Sequence, residues 1–503
     1  MAPLWTAPHL PFTDLPQHVA MISTLRHWWD PVFRVREHFT LALGQTQYLL
    51  YYLLGAVMAF PFGTAERANL VLLSLIGISF PFSLRSLLRA LGADERLAMF
   101  GGPLFWSQAL LIGFFNYVAA MPLVLWGLAL AVREAEVPKR AQQAGLAVLA
   151  LAIFYMHLSA FVFWAPAAAI AFWMLPPAEG TDEGTCAPLW KTLLARLPKL
   201  PMRLLWAIPV TLAALLFVLK SPVVHPQSIG WHQDMAPQYE DVGSALRNLL
   251  DALLDIWRGV EDEWILVCLI TVAGLLSWPQ KRDEEKPSQS LRRALVAVWL
   301  VFAAALYFFF PKGIGWLWQL NERYALVFAL LFPLLLRPAR GLKGAVPLLA
   351  LAAVTVADAN IAIKNIRVFE EEVGPFDRVL EQAEPGKHLL SMIVDQNSRV
   401  AKFSAFLHFG SYYRARKGGI ASFSFAELPQ SPLRYKPQTA PPAKPPGWEW
   451  HAFAFDNVRE GPYYDYILLH GNVDPLPRVM QNGGPKWRLK TREGSWSLYE
   501  REP

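Results

Sequence analysis

Residues 141–175 read AQQAGLAVLALAIFYMHLSAFVFWAPAAAIAFWML. Lys, Arg, Asp and Glu are absent, and His157 stands near the middle. Two apolar runs, 141–157 and 159–175, flank it. Each is about as short as a helix can be and still cross a hydrocarbon core. Similar runs recur on both sides, near 67–90, 97–112, 115–133, 203–219, 263–278, 294–310, 323–337 and 344–362. Together they make about 10 spans, and the chain reads as a polytopic α-helical membrane protein.

Composition agrees. Of 503 residues, 54% are hydrophobic and 17% charged, against roughly 45–50% and about 25% in soluble domains. The net charge of +6 comes from short clusters between apolar runs, which set orientation in a membrane rather than bind nucleic acid. Cys186 and Cys268 have no metal-ligand spacing, and one lies in a polar loop and the other in an apolar run, so no disulfide is expected.

Every second loop is basic. Arg85, Arg89 and Arg96 follow the first span, then Arg133, Lys139 and Arg140 follow the third. Lys191, Arg196, Lys199 and Arg203 come after the fifth, and Lys281, Arg282, Lys286, Arg292 and Arg293 after the seventh. Arg337, Arg340 and Lys343 follow the ninth. The positive-inside rule puts these loops in the cytoplasm. The N-terminal segment and the C-terminal tail then share the outer side, provided the run at 44–60 does not cross. Residues 19–42, with His27, Trp28, Trp29, Arg34, Arg36 and His38, read as an amphipathic surface segment.

The outer side carries the polar groups of interest. In PFTDLPQH, residues 11–18, Asp14 and His18 stand four apart. Asp14 reads as a catalytic carboxylate and equally as the N-cap of a helix beginning Leu15-Pro16. In 311–322, PKGIGWLWQLNE, Lys312 and Glu322 lead into Arg323. Lys312 and Arg323 suit a lipid phosphate or simple interfacial snorkelling. Asn116 and His157 fall at span ends on the same side. A helix–helix hydrogen bond suits Asn116, and His157 is an ionisable group where such groups tend to be functional. The loop with His225, His232, Asp234, Glu240 and Asp241 has no compact metal spacing. Beyond residue 363 charge returns and prolines cluster at 437–446. Strands are expected at 387–394, 464–470 and 486–499, the last a hairpin around Glu493-Gly494, with a helix over Gly374 to Gln382. The chain divides into 1–66, an extracytoplasmic acidic loop with juxtamembrane helices, 67–362, a transmembrane domain, and 363–503, a small extracytoplasmic α/β domain.

This layout resembles the GT-C superfamily of membrane glycosyltransferases, which includes protein mannosyltransferases and aminoarabinose and arabinofuranosyl transferases. DLPQH, GFFNY and FYMHLSAF are similar to a group of bacterial GT-C-like membrane proteins without a settled activity. The resemblance implies an inverting glycosyltransferase of the inner membrane. It would move a sugar from a polyprenyl-phosphate donor to a glycan, lipid or protein acceptor of the envelope. Asp14 would be general base, His18 or His157 would orient it or the acceptor, and Arg323 with Lys312 would hold the leaving phosphate, beside Asn116 and Glu322. The family begins with a span before the acidic loop, and no such run precedes Asp14 in this sequence, a departure that leaves about one helix fewer than the usual eleven or more. Leu15 follows Asp14, so the adjacent acidic pair common in the family is missing and a divalent metal is left open. A non-catalytic envelope scaffold and a lipid or solute transporter are the alternatives.

Overall fold

The computed structural model describes residues 1–177, 194–229, 234–277, 287–339, 341–445 and 447–503. Cys186, Lys191, His232, Lys281, Arg282, Lys286 and Arg340 lie outside the described residues, as does the side chain of Lys199. Among the described residues, four helices are long and apolar enough to cross a membrane: Ala65–Leu91, Phe115–Glu136, Ser288–Phe309 and Leu342–Val373. Shorter apolar helices stand beside them at Leu50–Phe62, Arg140–Met156, Leu158–Met174, Leu205–Lys220 and Arg323–Leu335. Leu212, Leu215, Leu216 and Val301 point outward from this bundle, each more than half exposed, as side chains facing lipid should be.

Two expected elements differ. The run 97–112 is not one span but a 3-10 turn at Glu95–Phe100 and two short helices, Gly101–Phe105 and Gln108–Ile112. Gly101-Gly102-Pro103 starts the first of these, and extended Ser107 separates it from the second. Non-helical backbone at this depth is tolerated because it is buried in protein. Residues 19–26 are not an exposed amphipathic segment. They belong to the helix Leu15–Arg26, which buries ten residues from Leu15 to Thr24. The expected surface character begins only at His27, where Arg36 stacks 4.3 Å over the exposed Trp29 ring.

The cover over that first helix is the C-terminal region. The Gln17 amide donates to the Phe423 carbonyl at 2.7 Å and accepts from the Phe425 N–H at 3.2 Å. Ser23 donates to the Ala415 carbonyl at 2.6 Å. Strand Phe39–Leu41 pairs antiparallel with Leu433–Tyr435. Arg416 bridges Glu66 and Asp377, at 2.7 and 2.6 Å. The C-terminal sheet has five strands. His388–Ile393 lies parallel to Ile420–Ser422 and Tyr466–His470, and Trp496–Arg501 and Trp487–Glu493 continue it antiparallel. The hairpin turns at Gly494, whose φ of 55° favours glycine. The expected short helix is Phe376–Glu381, and the last span runs on to Val373.

The bundle has two chemically different ends. At one, Arg292 pairs with Glu136 at 2.7 Å, Arg133 reaches the Ser86 carbonyl at 3.2 Å, and Arg196 and Arg203 cap the carbonyls of Met174 and Ala135. The basic loops therefore gather there. At the other end lie Asp14, Asn116, His157, Arg323 and the C-terminal sheet region.

Close helix approach depends on small residues. A Cβ on Gly101 would come within 2.8–3.0 Å of the Phe80 and Pro81 backbone, whereas one on Gly274 meets nothing within 4 Å. Gly101→Ala is expected to lower stability by about 1–3 kcal/mol, seen as a lower thermal midpoint in detergent, with Gly274→Ala unchanged.

Candidate active site

Asp14 sits at the N-cap position of Leu15–Arg26, yet its side chain makes no capping hydrogen bond. Its backbone φ and ψ of −91° and −1° are helical, whereas a capping residue is normally extended. The main chain is held from elsewhere. The Thr13 and Asp14 N–H groups donate to the Leu111 and Ile112 carbonyls at 3.0 and 3.1 Å. Gly113, at φ 98°, leaves room for this contact, since a Cβ there would lie 2.6 Å from that of Asp14. The carboxylate is thereby freed to face a cavity of about 1120 Å³, at the upper end for ligand pockets.

Asp14, His18, Asn116, His157 and Arg323 all line this cavity. The first two arrive on the N-terminal helix, Asn116 at the start of Phe115–Glu136, His157 at the break between two spans, and Arg323 at the first residue of its helix. Lys312 and Glu322 do not line it. Lys312 lies 3.0 Å from Glu240 and 3.4 Å from Glu322, so its charge is already balanced.

His18 is buried against Tyr52 and Phe115, and its Nε2 donates to the Gly113 carbonyl at 2.7 Å. That bond ties the helix to the same loop that holds Asp14. Burial pulls the imidazole down to about 4. His18 is therefore a neutral structural tie, not a proton acceptor at physiological pH.

Arg323 and His157 form a different corner. Arg323 Nη1 lies 3.1 Å from His157 Nε2, and the guanidinium stacks 4.4 Å from the Phe114 ring centre. Nη2 donates to the Trp318 carbonyl at 3.2 Å. His157 Nδ1 accepts from the Ser159 N–H at 3.1 Å, which leaves the ring proton of a neutral imidazole on Nε2. Two donors then face each other across 3.1 Å. Arg323 is buried, with no carboxylate in ion-pairing range among the described residues. Such a corner is suited to an incoming anion, which accepts from both groups. The Asn116 amide lines the same cavity and has no hydrogen-bond partner on either atom, so the helix–helix bond expected of it does not form.

The C-terminal region supplies groups that the sequence did not single out. His408, Glu427 and Glu449 line the cavity. His408 Nδ1 lies 3.0 Å from Asp14 Oδ1. Burial pushes Glu427 up to about 7 and also raises Glu449. Lys444 lies 3.6 Å over the Trp448 ring and bonds Glu460 at 2.6 Å. No spacing in the sequence links His408 to Asp14; only the folded sheet does. Among the described residues no group of three His, Cys, Asp or Glu side chains is placed to hold a metal ion.

No protein-family profile and no curated protein matches the chain. Solved structures do. ArnT from Cupriavidus metallidurans bound to undecaprenyl phosphate aligns with a TM-score of 0.52 at 11% identity, over 99% of this chain and 95% of that one. The chain shares the ArnT fold. The arabinofuranosyltransferase AftD from mycobacteria aligns with a TM-score of 0.46 at 14% identity, over 98% of this chain and 40% of that one. The GT-C resemblance read from the sequence thus has its counterpart in the ArnT-like fold, a helical bundle carrying a small C-terminal sheet domain.

The His18 shift has a consequence for stability. Its folded value of about 4 lies below the ordinary 6.5. The contribution is complete above pH 6.5 and is lost as pH falls from 6.5 toward 4, at about 1.4 kcal/mol per pH unit. Thermal midpoints between pH 7 and 4.5 should fall less steeply in His18→Gln than in the native chain, from a lower starting value.

Proposed function

We propose that the protein is an inverting glycosyltransferase that moves a sugar from a polyprenyl-phosphate donor to an envelope acceptor. The observation that carries this reading is the Arg323–His157 donor corner, which shares one cavity with the uncapped Asp14 carboxylate. The ArnT fold supports it, since that structure was solved with undecaprenyl phosphate. The donor phosphate would seat at Arg323 and His157, with the sugar toward Asp14. The cavity volume is ample for both.

In the proposed reaction Asp14 removes the acceptor hydroxyl proton as the oxygen attacks the anomeric carbon. The bond from that carbon to the phosphate oxygen breaks, and the electron pair leaves with the phosphate. Arg323 and the Nε2–H of His157 stabilise the charge gained there. Attack from the face opposite the phosphate inverts the anomeric centre. Asn116 would contact the donor, and His18 would hold Asp14 in place through Gly113. Lys312 and Glu322 would act one layer back, by fixing the segment that precedes Arg323. The basic residues at the opposite bundle end support placing the cavity on the outer face of the inner membrane, with the C-terminal domain extracytoplasmic.

Undecaprenyl phosphate tests the donor half whatever the sugar. Arg323→Gln is expected to weaken its binding to purified protein at least 10-fold, with Asp14→Asn binding normally. In cells of the source organism, Asp14→Asn should cut sugar transfer at least 100-fold and cause lipid-linked sugar to accumulate. Normal transfer by Asp14→Asn, or normal lipid binding by Arg323→Gln, would overturn the reading.

A further inference from the structure

His408 enters the cavity from the C-terminal region, and its surroundings are not those of a structural histidine. The ring is buried, 7% exposed, and stacks on Phe423 at 5.6 Å with Phe425 at its edge. Nδ1 lies 3.0 Å from Asp14 Oδ1, within reach of it but without a formed hydrogen bond, and Nε2 has no protein partner. A buried imidazole that satisfies neither nitrogen is costly to keep.

On its far side lies a second, much smaller chamber of about 10 Å³, lined by Ser391, His408, Ser411, Ser422, Phe423 and Glu449. That is about the room one water molecule needs. Ser391 Oγ and Glu449 Oε2 are buried there without protein partners. A single water bonded to His408, Ser391 and Glu449 would satisfy all three. Glu449 lines both the chamber and the main cavity.

We propose that His408 is the group that resets Asp14 after each transfer, passing its proton through this chamber to Glu449. The proposal rests on Asp14 being the base. Asp14 leaves the transfer step as a carboxylic acid. His408 Nδ1 takes that proton, and the imidazolium loses the proton on Nε2 to the chamber water and on to Glu449. Glu449, which also lines the main cavity, then releases the proton to the water there, and His408 gains a proton on Nε2 from the chamber water as its Nδ1 proton leaves to the cavity water, so Asp14, His408 and Glu449 all return to their starting forms with one proton delivered to solvent. The charged and titratable groups around His408 are Asp14 and His18 from the N-terminal helix, and Glu449, Glu427 and Lys444 from the C-terminal region. Lys444 is tied to Glu460, and His18 is neutral. Glu427 accepts from the Ser424 N–H at 3.0 Å and does not line the small chamber, which leaves Asp14 and Glu449 as the partners for proton exchange with His408. His408 acts through Asp14 and is a positioning and proton-relay residue.

Full-length protein would be assayed in membrane vesicles of the source organism, whose own lipid-linked sugars and glycans supply donor and acceptor. The readout is loss of lipid-linked sugar by mass spectrometry between pH 5 and 9. His408→Ala is expected to slow transfer 10- to 100-fold, with undecaprenyl phosphate binding unchanged. Added imidazole should restore most of the rate. His408→Gln, which keeps the volume without proton exchange, should be equally slow and should not respond to imidazole. Full activity in His408→Ala, or a loss that imidazole does not rescue, overturns the relay. Asp14→Asn is run beside it: an inactive Asp14→Asn with a fully active His408→Ala refutes the relay alone, whereas an active Asp14→Asn refutes the proposed function itself.

Discussion

A guanidinium buried without a carboxylate is the constraint on which the rest of this site turns. Removing an ion from water costs several kcal/mol, and Arg323 recovers part of that from the Trp318 carbonyl and the Phe114 ring. No carboxylate among the described residues makes an ion pair with it, and Glu322, next to it in the chain, acts on it only through space. His157 cannot help by accepting, because Ser159 N–H already occupies Nδ1. The break between the spans Arg140–Met156 and Leu158–Met174 is what exposes that N–H. The interruption of the helix, the tautomer of the histidine and the uncompensated charge are thus one feature.

The second requirement is a carboxylate held without being consumed. A helix N-terminus would ordinarily engage Asp14. The chain prevents this by fixing the Asp14 backbone against Leu111 and Ile112, with Gly113 making the approach possible. His18 closes the arrangement from one turn further on. The carbonyls left free at the C-terminal end of Gln108–Ile112 hold the N-terminal helix. The C-terminal region then seals the outer surface, with Gln17 clamped on both its donor and acceptor sides.

How much of this could be read beforehand follows from the range of each signal. Apolar runs such as 141–157 and 159–175 became helices at nearly the expected limits, because length and hydropathy are local properties. The strands at 387–394 and 464–470 and the hairpin at Glu493-Gly494 were equally local. The run 97–112 misled because its composition suits a span while Gly101-Gly102-Pro103 and Ser107 break it. Residues 19–26 misled because their burial depends on residues four hundred positions away. Asp14, Asn116, His157 and Arg323 were visible as polar groups at the ends of apolar runs. Lys312 and Glu322 shared that signal but are paired with each other and with Glu240. His408 was invisible, since nothing near it in the chain marks it out.

Charge is distributed along the cavity in a way that gives it direction. Donors collect at the bundle end, in Arg323, His157 and Asn116. Carboxylates collect toward the C-terminal region, in Glu427 and Glu449, with Asp14 between. Lys444 and Lys402 also line the cavity but are paired, Lys444 with Glu460 under the Trp448 ring and Lys402 with Asp255 at 3.0 Å. The acidic end also explains why the C-terminal sheet packs directly on the bundle instead of hanging from a linker. Burial there raises Glu427 and Glu449. A loosely tethered domain would leave both carboxylates solvated, and the polarity of the cavity would be lost with them.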